Sequence, residues 1–189
     1  VGNFNPKFNL GFGNTISYGN WVASALVDGR FGGVVTSGTD ANFAFDGTAD
    51  YTQAYRDGSW VLDAVKADGS KNAAAINAET FWTTVSGGRY SWGEFFTYDA
   101  TNVRLRELSV GYQFDNFPIK FVKSAKLSLV GRNLFFFYRG SSILDIPGVG
   151  ERKMNFDPEL SLGASNFQGV EYGNMPSTRS IGFNLKLSF

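Results

Sequence analysis

Residues Ser180 to Phe189 read Ser-Ile-Gly-Phe-Asn-Leu-Lys-Leu-Ser-Phe. Ile181, Phe183, Leu185, Leu187 and Phe189 are apolar, and Gly182, Asn184, Lys186 and Ser188 separate them. Strict period-2 alternation marks a strand with one apolar and one polar face. A tilted strand needs roughly 9–11 residues to cross a bilayer, and this window has that length. It closes on Phe189, an aromatic residue where the interfacial girdle of an outer-membrane barrel would sit. Taken alone, the window also reads as the last strand of a soluble sandwich.

Composition narrows the choice. The 189 residues include 19 Phe, 8 Tyr, 4 Trp and 23 Gly, a mix that suits a barrel with aromatic girdles and many turns. Lys plus Arg and Asp plus Glu both number 17, so the net charge is zero and nothing favours nucleic acid or an acidic polymer as partner. There is no His and no Cys, which excludes disulfides, thiol nucleophiles, the usual zinc sites and His-based acid–base chemistry. No apolar run reaches the length of a transmembrane helix.

The alternation recurs upstream. Phe8, Leu10, Phe12, Ile16 and Tyr18 share one face of a strand, and Gly19-Asn20 is a hairpin turn. Trp21, Ala23, Ala25 and Val27 continue beyond it, opposite Ser24, Asp28 and Arg30, with Leu26 an exception on the polar side. Leu108, Val110, Tyr112 and Phe114 form the apolar set of a third strand, and Leu127, Leu129, Phe135 and Phe137 that of a fourth. The expected spanning strands therefore lie near 8–18, 21–31, 102–114, 126–137 and 180–189. Arg104 and Arg106 fall in the apolar phase of the third. Either they lie beyond the hydrocarbon or a bulge shifts the phase before Leu108.

The connections alternate short and long: Gly19-Asn20, then 32–99, then 115–124, then 139–178. Short periplasmic turns and long external loops have this parity in outer-membrane barrels, which puts the C-terminus on the periplasmic side. Trp60–Asn72 reads as a hairpin around Asp68-Gly69-Ser70, and Asn77–Val85 as a short capped helix. About five strands cannot close a barrel, which needs at least ~8, so further strands are expected upstream of Val1. The fold class expected is all-β: an antiparallel transmembrane barrel segment with long extracellular loops.

Six blocks then carry a resemblance. Gly2–Phe8, Asp28–Gly33, Tyr98–Leu108, Gly131–Phe135, Asp157–Glu159 and Met175–Ser180 occur in this order. Together with the terminal alternation, the chain resembles the C-terminal part of SusC/RagA-family TonB-dependent transporters of Bacteroidota outer membranes. The resemblance implies that residues 1–189 belong to a plugged barrel of about 22 strands whose plug and TonB-contacting segment lie outside this chain. It also implies a SusD-like surface lipoprotein as partner, TonB as energy source, and import of oligosaccharides or peptides. The terminal residues Ile181, Phe183, Leu185, Leu187 and Phe189 would form the signal for the barrel-insertion machinery.

No catalytic, cofactor or metal site is expected. Asp145 with Glu151 and Asp157 with Glu159 lie in Gly- and Pro-rich loops, where acids are usually solvated. Gly11-Phe-Gly13 lacks the rest of a dinucleotide fingerprint. The loop aromatics Trp60, Phe81, Trp82, Tyr90, Trp92, Phe95, Phe96 and Tyr98 would stack on sugars or, the favoured reading, form small cores that order the loops. Arg104, Arg106 and Arg132 would face a lumen and pair with acids such as Asp28 or Glu107. A passive porin-type channel and a soluble carbohydrate-binding sandwich are the alternatives.

Overall fold

The structure is a computed structural model and describes residues 2–54, 56–87, 94–115, 121–163 and 168–189. In chain order the elements are β1 (Phe8–Tyr18), β2 (Trp21–Phe31), β3 (Val34–Ser37), α1 (Gly38–Phe45), β4 (Ser59–Val61), β5 (Ala75–Asn77) and α2 (Ala78–Val85). They continue with β6 (Thr97–Asp99), β7 (Asn102–Phe114), β8 (Ser124–Arg139), β9 (Val170–Glu171) and β10 (Ser180–Ser188). Strand content is 48% against 13% helix, which makes the chain mainly antiparallel β. It divides into two compact units, a strand unit and a connector unit.

The strand unit holds Lys7–Phe31, Thr101–Arg139 and Pro176–Phe189. Its five long strands form one antiparallel sheet in the order β1-β2-β7-β8-β10. Each long strand pairs with the next long strand in the chain, so the sheet is a meander. A two-residue turn joins β1 to β2, with Gly19 at φ +55° in its first position. Types I′ and II′ both need that sign there, which glycine adopts without steric cost, and the absence of a positive φ at Asn20 leaves type II′. Both long connections leave and rejoin the sheet at the end where Arg30, Asn102 and Arg139 pair. The expected fourth strand, 126–137, is longer at both ends, Ser124–Arg139.

The sheet is open along both edges, while Asn102, Arg104, Leu105 and Ala125 of its central strands are buried. Every residue of β1 and of β10 is exposed, on both sides of the pleat. Phe183 is 81% exposed, Ile181 72% and Phe12 63%. A soluble sheet of this size buries one face against a second layer. Burying a large apolar side chain is worth about 1.5–3 kcal/mol, so such a face requires a cover.

The connector unit holds Val1–Pro6, Gly32–Ala100 and Gly140–Met175, and it is packed. Ala41 and Ala44 of α1 and Ala78, Phe81 and Trp82 of α2 are buried together with Phe96 and Ile146. Val35, Tyr98, Ala100 and Met154 form a second buried cluster, with Phe156 edge-on to Tyr98. The favoured reading of the loop aromatics therefore holds for Phe81, Trp82, Phe96 and Tyr98, and Trp60 and Phe95 pack at the rim. Tyr90 and Trp92 lie outside the described residues. The unit's short sheet runs β6-β3-β9, with β9 parallel to β3.

Two local expectations change. The hairpin expected over Trp60–Asn72 turns at Asp68-Gly69-Ser70, where Asp68 accepts from the Ser70 amide at 2.9 Å. Its paired arms are β4 and β5, so it extends to Asn77. The helix expected over Asn77–Val85 begins one residue later, with Asn77 as the N-cap accepting from the Thr80 amide at 2.8 Å.

Candidate functional site: a wall with an apolar and a charged face

The phase problem in β7 is resolved by a bulge at Arg106. Glu107 pairs with Leu26 and Leu105 with Val27, so β7 has one residue more than β2. An extra residue moves everything beyond it to the opposite face. Arg104 thereby joins the polar side and pairs with Asp28. The Arg104 guanidinium lies 3.4 Å from the Asp28 carboxylate, and Arg106 donates to the same carboxylate from Nε at 2.7 Å. Arg132 donates to Glu107 at 3.0 Å. The expected pairing of these arginines with Asp28 and Glu107 is thus present on the polar face.

A matching irregularity runs through β8. The register slips beside Asn133, which sits at φ +50°. That is a left-handed value which Asn tolerates better than other residues with a side chain. A second slip beside Phe137 leaves Phe136 opposite Arg104. The Arg104 and Arg139 guanidinium carbons stand 5.5 and 5.3 Å from the Phe136 ring centre, within cation–π range. Phe136 therefore lies on the charged face, opposite to its neighbour Phe135.

The apolar face is banded. At its turn end Trp21 lies edge-on to Tyr112 at 5.1 Å, and Tyr112 to Phe114 at 4.8 Å. At its connector end Phe8 stacks on Phe31 at 4.7 Å, and Phe135 meets Phe137 at 4.8 Å. Ala23, Ala25, Val27, Leu108, Val110, Leu127 and Leu129 occupy the middle rows. Ile181, Phe183, Leu185 and Leu187 continue the same face on the edge strand, opposite Gly131, Leu129, Leu127 and Ala125. Phe189 follows the last paired residue and is 72% exposed.

In the connector unit the polar groups serve cohesion. Asp40, in the first turn of α1, accepts from Tyr51 Oη at 2.7 Å, from Tyr98 Oη, and from Arg152 at 3.2 Å. Asp40 and Arg152 are both buried. The Arg152 guanidinium carbon lies within 5.5 Å of the Tyr51, Phe96 and Tyr98 ring centres and donates to the Phe95 carbonyl. Burial, with the Asp40 carboxylate adding to it, pushes both phenols well above the usual tyrosine range. Glu171 is also buried, accepting from Ser37 at 2.6 Å and Thr39 at 2.7 Å beside the positive end of α1.

Sequence reasoning missed Asp40, Tyr51, Arg152 and Glu171, and it missed α1. One signal was available: Ser37-Gly-Thr-Asp40 has capping-box spacing, and Ser37 accepts from the Asp40 amide at 3.0 Å. The acid pairs do not form a site. Asp157 closes its own turn by accepting from the Glu159 amide at 3.0 Å, and Glu151 accepts from Ser141. Among the described residues no cluster of three or more acids could hold a metal ion. No described helix is long and apolar enough to cross a membrane.

No family model matches the chain. It is 27% identical over 203 aligned positions to TonB-dependent receptor P3 of Formosa agariphila, an alignment that takes in the whole chain. The chain spans 17% of the length of that relative. The chain is thus similar along its whole length to part of a TonB-dependent receptor.

Proposed function

We propose that this chain is the C-terminal wall section, with external connectors, of a SusC/RagA-type TonB-dependent importer in the bacterial outer membrane. The intact protein takes up oligosaccharides or peptides, carries a plug in a barrel of about 22 strands, and works with a SusD-like surface lipoprotein and TonB. The observation that carries this reading is the banded apolar face of the five-strand meander, most of whose large apolar side chains are exposed among the described residues. Trp21 to Phe31 extends about 34 Å along its strand. At a tilt of ~45° this is about 24 Å along the membrane normal, close to the ~25 Å apolar band of outer-membrane barrels. In this reading the apolar face meets lipid, the arginine face lines the lumen, and β10 with Phe189 is read by the insertion machinery.

The test is the intact mass of the protein extracted from outer membrane in detergent, with any co-purifying chain identified. The expected result is a species several times 20.7 kDa with a lipoprotein bound. A free 20.7 kDa species, soluble without detergent, overturns the reading and favours the sandwich.

A further inference from the structure

The neutral total charge conceals a segregation. The strand unit carries eleven Lys and Arg against three Asp and Glu by sequence, and the connector unit six against fourteen. All three carboxylates of the strand unit are already engaged. Asp28 holds Arg104 and Arg106, and Glu107 holds Arg132. Asp115 accepts from Asn20 Nδ2 at 3.2 Å and from Gln113 Nε2 at 2.9 Å.

Two lysines face each other outside these pairs. Lys126 of β8 and Lys186 of β10 are direct cross-strand partners on the polar face, near the turn end of the sheet. Residues so placed have Cβ atoms about 4.5–5.5 Å apart, and like charges there repel. Among the described residues neither ammonium group has an ion pair or a hydrogen bond. Lys186 is exposed and Lys126 half-buried. A Cβ on Gly111 of β7 would stand 3.0 Å from Lys126 Cε and closer still to Ser128 Oγ. The missing side chain at Gly111 therefore lets the Lys126 stem lie low on the sheet.

Beside the lysines the same face is low and uncharged. Ser17, Val22, Gly111, Ser128 and Asn184 form the next row across all five strands. The row beyond it, from Thr15 to Gly182, also has no charged residue and nothing larger than valine. Four strand spacings make each row about 19 Å wide. The floor thus offers broad neutral contact next to one concentrated charge. That combination fits a folded protein surface carrying a carboxylate better than it fits a small free anion. We infer that Lys126 and Lys186 together seat an Asp or Glu side chain of the plug, which rests on this floor at the turn end of the wall. The inference rests on the importer reading, in which the polar face lines the lumen and a plug fills it. One carboxylate between two ammonium groups offsets their repulsion, and two charge-assisted hydrogen bonds fix its position.

The test uses the full-length protein in isolated outer membrane. A carbodiimide joins carboxylates to amines in direct contact, and mass spectrometry of the digest identifies the joined peptides. The expected result is a cross-link from Lys126 or Lys186 to an Asp or Glu of the same protein outside residues 1–189. The double variant Lys126→Gln, Lys186→Gln is expected to raise protease cleavage of the plug by about fivefold. Lys126→Arg with Lys186→Arg is expected to match the parent. Lysines that cross-link only to Asp115, to another protein or to nothing overturn the inference. So does a Gln variant cleaved no faster than the parent, or an Arg variant cleaved as fast as the Gln variant. A protein that sits in the outer membrane with its plug and shows none of these effects defeats this inference alone. A protein without a plug, or one outside the membrane, defeats the importer reading.

Discussion

Asp40 and Arg152 are 112 residues apart in sequence and 3.2 Å apart at the carboxylate and guanidinium, both buried. This pair joins the first long connection to the second. Breaking a buried pair by removing one partner costs about 3–5 kcal/mol, because the other charge is left without compensation. Arg152→Met is therefore expected to open the connector unit to protease while β7 and β8 stay protected. Asp40→Asn combined with Arg152→Met is expected to be milder than Arg152→Met alone. Limited proteolysis of the three variants, read by mass, checks the order.

The two phenols on Asp40 make the connector unit sensitive to alkali. Tyr51 and Tyr98 are held protonated beyond their usual range by burial and by the carboxylate they donate to. The folded unit thus binds protons that the unfolded chain releases above about pH 10. Stability supplied by these groups is complete below that pH and is lost as pH rises further. Tyr51→Phe and Tyr98→Phe should each cost about 1–3 kcal/mol near neutrality by leaving a buried acceptor short of a donor. Each should also flatten the alkaline decline. Unfolding midpoints between neutral and strongly alkaline pH test both effects.

Arg106 is needed as an extra residue more than as a charge. Deleting it removes the bulge and returns Arg104 and Asn102 to the apolar face. The deletion is expected to abolish insertion into the outer membrane. Arg106→Gln keeps the register and gives up one partly exposed partner of Asp28, a loss of up to about 1 kcal/mol. Heat-modifiable mobility of membrane-extracted protein distinguishes the two.

Neighbouring positions on β10 should respond oppositely to the same change. Phe183 lies on the apolar face and Asn184 on the polar one. If the apolar face meets lipid, Phe183→Lys costs about 2–4 kcal/mol near the bilayer midplane, and Asn184→Lys is tolerated. Equal effects at the two positions would count against a lipid-facing wall. Loss of Phe189 should slow insertion without lowering the stability of protein already inserted.

The strand unit was largely legible because its signal is local. Alternation over nine or more residues assigns a face to each side chain, as in Ile181 to Phe189. The bulge in β7 was legible as a conflict, since Arg104 and Arg106 stood in the apolar phase. The second irregularity, in β8, was not. Asn133 and Phe137 fit an unbroken strand by residue type, and only their partners on β7 reveal the slips. The connector unit was legible where a cap lies beside its helix, as at Asn77. Its central ion pair depends on residues from segments far apart, and no local pattern announces such a meeting. Charge segregation was hidden for a related reason: a total over the chain cannot show which residues the topology collects on one face.

The connector unit contains its own hydrophobic centres, around Phe81, Trp82 and Phe96 and around Val35 and Met154. Segments that pack mostly on one another can be inherited together. Natural variants of this wall should therefore differ by exchange of both long connections as a matched set. A graft of 32–100 without 140–175 would separate Asp40 from Arg152 and Ser37 from Glu171, and recombination that divides the set should be selected against.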